Sequence, residues 1–508
     1  MAVSHSTSYH DAANQTDPSY RGWSPGLAQA DAELSGELEI MRARSRDLDR
    51  NNGLVGGAKQ TQTDHVVGTG LRLQSSPDYR ALGWSIDQAV EWGRQVEAAW
   101  RDFAESDQCD AARTLDFAGL TSLVFRQALA DGEALAVPRW RPGRLGCKLA
   151  TCLSLVDVDR LSNPNLAMDT VRLRGGIERD ADDAPVAYHI RNQNPWQLLL
   201  GGDYYGVGTW RRIPARTPWG RKLVIHLHDK ERTGQGRGKP FVSRVAGQVR
   251  MADHYQTTEL KSAIVSAMIA AFIESNLPQE QLEDIMGAST DKAGRLNLGD
   301  FDAAVQARRA AIAPLQGGRI INLPVGDSMK PFAPNRPGNT YAPFMEHLLR
   351  HIAAGLNMSY ETLARDFSKT NYSSARAALL MDWRFFLGRR SWLAKYWCQP
   401  VFELWLEEAI DLGLVKAPGF YENRRAYCAA KWIGPGRGWV DPVKEATAAK
   451  IRMVNNLSTL QMECAEQGQD YEEVLLQTAR ERKDRESLNL PEPGQAPGVP
   501  AGNGAANV

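Results

Sequence analysis

Residues 318–380 read GRIINLPVGDSMKPFAPNRPGNTYAPFMEHLLRHIAAGLNMSYETLARDFSKTNYSSARAALL, and this segment is the main basis of the predicted fold. Two apolar runs, 319–323 and 329–332, flank a segment with Pro, Gly and Asp, which predicts two strands joined by a hairpin-like connection. Pro343 predicts the start of a helix, because its fixed φ suits a first turn and its missing N–H is not needed there. The polar residues 368–374 then predict a loop, rich in possible N-caps, before another helix.

Part of this stretch, residues 332–380, resembles the lambda-type family of tailed-phage portal proteins, for which NYSSARAALL is highly characteristic. Three further segments resemble the same family: RSRDLDRNNGLVGGAKQTQTDHVVGTGLRLQ (44–74), RLSNPN (160–165) and DPVKEATAAKIRMVNNLSTLQMECAEQGQDYEEVLLQ (441–477). The resemblance extends over most of the chain and implies an α+β portal fold. Such a fold has a wing, a helical stem, a small α/β clip and a helical crown, and it assembles as a ring.

The resemblance and the pattern of elements together predict nine segments. These are a flexible N-terminal segment (1–38), a wing-like α+β domain (39–245), a first stem helix (246–275), a clip (276–338), a second stem helix (339–358), a tunnel loop (359–377), wing helices (378–440), a helical crown (441–486) and a disordered tail (487–508). Both end segments are predicted to be disordered because they contain too few apolar residues to form a core.

The composition excludes several classes of protein. The 60 basic and 60 acidic residues balance, so no overall field attracts the chain to nucleic acid or membrane, although a charged channel remains compatible with this total. The six cysteines contain no C-x-x-C pair, which predicts reduced thiols in a cytoplasmic setting. No run approaches the roughly 18 apolar residues of a spanning helix, so we expect a soluble protein without a membrane partner.

Glycine-rich motifs that could indicate an enzyme are incomplete. Residues 22–26 match G-x-S-x-G, but Pro25 has no N–H with which to build an oxyanion hole. The glycine loop 234–240 ends in Pro240, where a phosphate-binding loop needs Ser or Thr for magnesium. We therefore expect no enzyme activity and no cofactor.

Two paired motifs leave a metal site open as the less favoured alternative. Asp157 and Asp159 alternate along a predicted strand, so their carboxylates share one face. His226 and His228 do the same, without an evident third ligand. We expect exposed strand or turn positions for the first pair and structural histidines for the second, with no metal bound.

The longest apolar helical pattern lies in the predicted first stem helix. Leu260, Ile264, Met268 and Phe272 form one stripe, and a second apolar stripe flanks it. A helix that is apolar on two faces is predicted to be buried among neighbours. It could be the central helix of a monomeric domain, but the resemblance implies packing between subunits of a ring.

The resemblance implies that the tunnel loop points into an axial channel. Lys369, Thr370, Asn371 and Tyr372 are the candidates for contact with DNA. The alternative is that Asn371 and Tyr372 cap and pin the following helix. For the clip, the candidates are Arg319, Lys330 and Arg336, which could face DNA or the terminase, or form ion pairs between subunits.

The implied function is a ring-shaped portal, dodecameric in assembled particles, at one vertex of the capsid. Implied partners are the large terminase subunit, the major capsid and scaffold proteins, the head–tail connector proteins and double-stranded DNA without sequence specificity. The implied location is the virion, and the host cytoplasm during assembly. Two alternatives remain from the sequence: another head–tail adaptor or minor capsid protein, and a DNA-processing enzyme. Aromatic residues of 379–414 could stack on bases, but their spacing favours core packing.

Overall fold

The computed structural model describes residues 18–20, 22–192, 209–268, 271–275, 327–331, 341–438, 441–488 and 490, and gives only the backbone elements for those between 265 and 331. The chain divides into two compact units. One comprises Met1–Ala246 with Ala353–Val508, and the other comprises Gly247–Ile352.

The N-terminal part of the larger unit contains both helices and strands, as predicted. Its helices are α1 (Ala30–Ser35), α2 (Leu38–Asn51), α3 (Gly53–Val66), α4 (Tyr79–Leu82), α5 (Ile86–Ala104) and α6 (Phe117–Ala130). Its strands are β1 (Arg72–Ser75), β2 (Glu133–Trp140), β3 (Thr151–Val156), β4 (Leu173–Arg174), β5 (Ile177–Arg179), β6 (Pro185–Arg191), β7 (Trp210–Pro214) and β8 (Ile225–His228). Ser85 with Gln88 three residues later is a sequence pattern that predicts a capping box, and α5 has it, with Ser85 Oγ accepting from the Gln88 N–H at 3.2 Å and Gln88 Oε1 accepting from the Ser85 N–H at 2.9 Å.

Two antiparallel sheets are built from these strands. One has the order β3-β2-β8 and the other the order β4-β5-β6-β7. Leu135 and Val137 of β2 pack with Tyr188 and Ile190 of β6 in one small buried cluster. The sheets therefore share a core, and the loops at the strand ends carry the charged residues discussed below.

The smaller unit is entered by α7 (Ala246–Met268), which is followed by two paired strands and by helix α8 (Tyr341–Gly355). The strands are β9 (Ala271–Ser275) and β10 (Asp327–Pro331), which are antiparallel. The prediction of a helix over 246–275 is wrong at its end, because Phe272 lies in β9 opposite Lys330. A strand there is favoured by the aromatic and β-branched pair 272–273 and by backbone hydrogen bonds to β10, which the helical period could not reveal.

Two other predictions for this unit have different outcomes. The helix start at Pro343 is confirmed, since Pro343 lies in the first turn of α8. The strand over 329–332 is confirmed in β10, but β10 pairs with β9. Its predicted hairpin partner, 319–323, lies outside the described residues.

The C-terminal part of the larger unit is mainly helical. It contains α9 (Tyr360–Ala364), α10 (Tyr372–Leu393), α11 (Gln399–Asp411), α12 (Arg424–Tyr427), β11 (Ala430–Ile433), α13 (Pro442–Val454), α14 (Leu460–Glu466) and α15 (Tyr471–Ser487). Five residues of π-helix, Ala394–Cys398, join α10 to α11 without a break. Strand β11 pairs with β1 of the N-terminal part. Asp441 caps α13 and Asp470 caps α15, and Asp is a residue type that the sequence pattern favours at an N-cap.

The aromatic residues of α10 and α11 form the main core. The ring of Trp100 in α5 lies 5.1 Å from that of Phe117, 5.2 Å from that of Trp405 and 5.8 Å from that of Phe402. Trp397 is also buried and donates its indole N–H to Thr121 Oγ1 at 3.0 Å. The prediction of core packing is confirmed for these α11 residues and for Trp397.

The N-terminal segment predicted to be flexible through residue 38 contains an ordered part. Helix α1 holds Asp31 in a buried position, where its carboxylate meets Arg174 at 3.2 Å and Arg179 at 3.0 Å. The Gly236 N–H also donates to Asp31 at 2.7 Å. These long-range partners order the segment despite its weak local apolar pattern. Within the part of the chain that the structure describes, no helix is both long and apolar enough to cross a membrane.

Candidate nucleic-acid interface

A short ordered loop joins α9 to α10, and we call residues 365–371 the α9–α10 loop. Arg365 ends α9 in the left-handed region, with φ +54°. Asp366 Oδ1 accepts from the Ser368 N–H at 3.0 Å, and the Phe367 carbonyl accepts from the Thr370 N–H at 3.3 Å. The tunnel loop predicted over 359–377 is thus mostly helical, and only these residues form a connection between helices.

Three of the four predicted DNA-contacting residues, 369–371, end this loop, and the fourth, Tyr372, begins α10. Lys369 is exposed, whereas the Thr370 hydroxyl donates to the Phe367 carbonyl at 3.0 Å. Asn371 is the N-cap of α10, and its Oδ1 accepts from the Ser374 N–H at 2.8 Å. The alternative reading of Asn371 as a helix cap is therefore correct, whether or not it also meets DNA. Tyr372 is 50% exposed and is the first residue of α10.

Tyr372 also contacts α13. The Lys444 ammonium of α13 lies 5.9 Å from the centre of the Tyr372 ring, and Lys444 pairs with Asp441 at 2.9 Å. A cation held over an aromatic face is weakly attracted to it. The alternative in which Tyr372 pins the local structure is thus supported by a contact to α13.

A buried carboxylate that the sequence analysis missed supports the start of α9. Asp382, one turn from Phe386 on α10, accepts from the Ser359 N–H at 2.8 Å, from the Ser359 hydroxyl at 2.7 Å and from the Thr362 hydroxyl at 2.6 Å. Hydrogen bonds to a charged acceptor are about twice as strong as neutral ones. Asp382 therefore fixes the chain before the α9–α10 loop against the helix after it.

We expect Asp382→Ala to lower the free energy of unfolding by about 2–3 kcal/mol, because three donors lose a charged acceptor in a buried site. Hydrogen exchange of the amides of 359–371 should also speed up. The control is Asp411→Ala, which removes an exposed acid from α11. Unchanged exchange in 359–371 would show that Asp382 does not hold the loop.

Arg390 of α10 holds the glycine loop 434–438 against the end of α3. Its guanidinium donates to the carbonyls of His65 and Pro435, each at 2.8 Å, and burial lowers the pKa of Arg390 to about 10. A Cβ added at Gly434 would lie 2.5 Å from Arg390 Nε, so any other residue there would displace the Arg390 side chain. This glycine loop is thus shaped by close packing rather than by a phosphate.

The stem candidates differ in what the structure shows of them. In α7, Leu260 is 62% exposed and Ile264 is 52% exposed. Met268 ends α7 and Phe272 lies in β9, with side chains outside the described set. Helices α7 and α8 meet through Tyr255, whose ring centre lies 5.4 Å from that of Tyr341. Large apolar side chains thus remain uncovered on α7 within one copy of the chain.

The clip candidates are only partly described. Lys330 is in β10, opposite Phe272 of β9. Arg319 and Arg336 lie outside the described residues. The contacts of these three residues with DNA, the terminase or neighbouring subunits therefore stay predictions.

Comparison with known proteins identifies the family. The family profile described as "Phage portal protein, lambda family" matches residues 16–390. The chain is 35% identical over 500 residues to the portal protein of Escherichia phage N15, covering 96% of this chain and 92% of that protein. It is 34% identical over 502 residues to portal protein B of Escherichia phage lambda, with the same coverage. The chain belongs to the lambda family of phage portal proteins.

Solved structures from gene transfer agent (GTA) particles are also similar to this portal chain. The neck of the empty particle, computed with C6 symmetry, has a TM-score of 0.46 at 14% identity and covers 91% of this chain and 98% of that one. The neck of the native particle, computed with C12 symmetry, has a TM-score of 0.40 at 14% identity, covering 69% and 81%. The function of this chain, from its family, is that of a portal at the capsid vertex, a structural part of the virion.

The acidic pair of this portal chain forms ion pairs, and one histidine of the other pair contacts a carboxylate. Arg46 contacts Asp159 at 2.6 Å and Asp157 at 3.6 Å. His226 Nε2 lies 3.0 Å from Glu133, and the His226 ring centre lies 4.5 Å from that of His228. Among the residues described, no group of three or more possible ligands is placed to hold a metal ion. Burial lowers the pKa of His228 to about 3, so this imidazole is neutral.

Glu133 is the centre of a fully buried charge network. Arg237 donates to it through Nε at 2.8 Å and through Nη2 at 2.5 Å, the Gly238 N–H donates at 3.1 Å, and Arg42 is a further donor. Burial alone would raise the pKa of Glu133, but the charges of Arg237 and Arg42 and the bond from His226 hold it well below its ordinary value. The network ties α2, β2, β8 and the glycine loop 234–240 together.

Proposed function

We propose that twelve copies of this portal chain form a ring through which double-stranded DNA enters and leaves the capsid. The observation that carries the ring is the exposure of Leu260 and Ile264 on α7, since large apolar side chains at helical spacing on one face call for a partner. We propose that this partner is a neighbouring subunit of the ring, as expected for a stem helix. A monomer would leave these side chains in water.

The α9–α10 loop is proposed to meet the DNA in the channel. Lys369 is the group with a net charge among the four candidates, and it is exposed at the loop. Moving DNA requires weak contacts with phosphates, because contacts with base edges would bind particular sequences. One lysine in each copy gives such a contact, repeated around the ring.

Asn371 and Thr370 have a supporting part in this proposal. Their side chains are hydrogen-bonded within the loop, so they shape it around Lys369. Tyr372 is half exposed and lies beside Lys444, which places a second cation near the loop. DNA contact would then centre on Lys369, with Tyr372 and Lys444 at its edge.

The wider assembly is proposed from the family. We propose that Arg319, Lys330 and Arg336 belong to the clip and meet the large terminase subunit or DNA, and that the major capsid, scaffold and head–tail connector proteins bind elsewhere on the ring. Assembly would take place in the host cytoplasm. Binding of the purified terminase subunit to rings with these three positions changed to Gln tests the clip.

We expect Lys369→Ala to leave ring formation intact and to reduce DNA packaging or retention. For isolated rings, the salt dependence of duplex binding should also weaken, because each phosphate contact contributes a slope of ~0.9 in log K against log salt. The measurement is packaged DNA per particle, together with duplex binding at several salt concentrations. Lys230→Ala, an exposed lysine elsewhere in the larger unit, is the control. Normal packaging, retention and salt slope would contradict the assignment of the loop to DNA.

A further inference from the structure

Several arginines lie around the two antiparallel sheets, at the end of β2, after β3 and in β7. Residues 139–144, RWRPGR, form the end of β2 and the start of the loop to β3. Arg160 follows β3, and Arg211 lies in β7. We call Arg139, Arg141, Arg160 and Arg211 the arginine cluster.

The fold brings these four residues together from distant parts of the sequence. Leu161, next to Arg160, bridges to Ile190 of β6, and Ile190 pairs with Arg211. Arg160 and Arg211 therefore flank the end of β6. On β2, Arg139 shares the face of Leu135 and Val137, which pack with Ile190 of β6, so Arg139 lies toward the strand that Arg160 and Arg211 flank. Burial lowers the pKa of Arg139, and the charges of Arg211, Arg141 and Arg160 lower it further.

The cluster lacks matching negative charge in the described part of the chain. No salt bridge there joins Arg139, Arg141 or Arg211 to a carboxylate, and Arg139 Nε is buried without a hydrogen-bond partner. Asp157 is the acid whose charge acts on Arg160, although burial has the larger effect on the pKa of Arg160. A group of like charges with one nearby acid raises the energy of the free chain, and an anionic partner would remove that cost.

The surroundings of the cluster are held in place. The Arg160 guanidinium donates to the carbonyls of Arg191 at 2.8 Å and Asn192 at 2.9 Å. In the β2–β3 loop, Arg144 donates to the Gln108 carbonyl at 2.7 Å, and Arg113 donates to the Leu145 carbonyl at 2.8 Å. A surface fixed in this way loses little conformational entropy when a partner binds.

We propose that the arginine cluster and the β2–β3 loop bind an acidic segment of a partner protein. Two features favour carboxylates of a protein over phosphates of DNA. Leu145 at the loop is 90% exposed, and an apolar side chain beside arginines gains from burial against a protein but not against a phosphate backbone. The planar guanidinium also binds carboxylates in bidentate fashion, which suits a fixed partner. This inference does not depend on the ring or on the α9–α10 loop.

The test is fluorescence anisotropy of the full-length protein with a labelled peptide of Glu and Leu residues, the same peptide with Gln for Glu, and a short DNA duplex. We expect the Glu peptide to bind more tightly than the other two at physiological salt. The triple variant R139Q/R141Q/R211Q should weaken its binding by about tenfold or more, and Leu145→Ser by a few-fold. The matched control, R80Q/R425Q/R480Q, removes the same charge from exposed arginines elsewhere.

Two results would overturn the proposal. One is equal loss of peptide binding in the cluster variant and the control variant, which would mean that only total charge matters. The other is duplex binding tighter than peptide binding and lost in the cluster variant alone, which would make this a phosphate-binding surface. Thermal unfolding of each variant shows that a loss of binding does not come from a loss of folding.

Discussion

Replacing Glu133 by Gln is expected to lower the free energy of unfolding by about 3–5 kcal/mol, because it leaves two buried guanidinium groups without their shared carboxylate. Glu133 has no exposed surface, so water cannot take over the lost interactions. The amide of Gln can accept from one of the donors, but it cannot balance the charges of Arg42 and Arg237. The measurement is thermal or urea unfolding of the wild-type protein and the variant.

The pH dependence of this effect has a definite sign. The folded state holds the pKa of Glu133 well below the ordinary value of 4.5, so its stabilisation is present above pH 4.5 and is lost as pH falls toward the lower, folded-state pKa. The difference between wild type and Glu133→Gln should be full at pH 7 and shrink below pH 4.5. Glu422→Gln, at an exposed position, should show little difference at any pH. A Glu133→Gln difference that stays constant down to acid pH would argue against an ionised network.

The double variant Leu260→Asp/Ile264→Asp is expected to convert rings into monomers. Burying each of these side chains against a neighbour contributes about 1.5–3 kcal/mol, and a carboxylate in the same place must also be desolvated. Every interface of the ring carries the change, so its effect is multiplied by the number of subunits. The measurement is mass photometry or analytical ultracentrifugation, with negative-stain electron microscopy to show the central channel.

The control for this prediction introduces the same charge on a polar position of α7. Thr258→Asp places a carboxylate at an exposed site on a different face of α7 from Leu260 and Ile264, and rings should persist. Because Leu260 and Ile264 are already exposed within one chain, the double variant should unfold at the same temperature as the wild-type monomer. Rings that survive the double substitution would show that α7 does not pack between subunits.

Local signals in the sequence predicted those parts of the fold that depend on neighbouring residues. The capping box at Ser85, the helix start at Pro343 and the caps at Asp441 and Asp470 need only a few adjacent positions, and all are present. The end of α7 could not be predicted in this way. Its strand continuation depends on β10, more than 50 residues away in the chain.

The partners of the buried polar residues could not be predicted for the same reason. Asp382, Arg390 and Glu133 stand among apolar residues, which is a signal that each needs a partner. The sequence does not say which partner, since Arg390 binds carbonyls from two distant segments and Glu133 binds arginines from two others. For the proposed DNA contact, the resemblance predicted the segment, and the structure separates the cap Asn371 from the exposed Lys369.

The unbroken run from Tyr372 through the π-helical residues to Asp411 has a mechanical consequence. Its 40 residues form a continuous helical segment of roughly 60 Å. Its first turn adjoins the α9–α10 loop, and in its last turns Phe402 and Trp405 pack against Trp100 of α5. In the proposed channel, a force that DNA exerts on the loop would be transmitted along this helical segment to the aromatic core around Trp100. That core would carry the force, and the α9–α10 loop would keep its shape as DNA moves through the proposed channel.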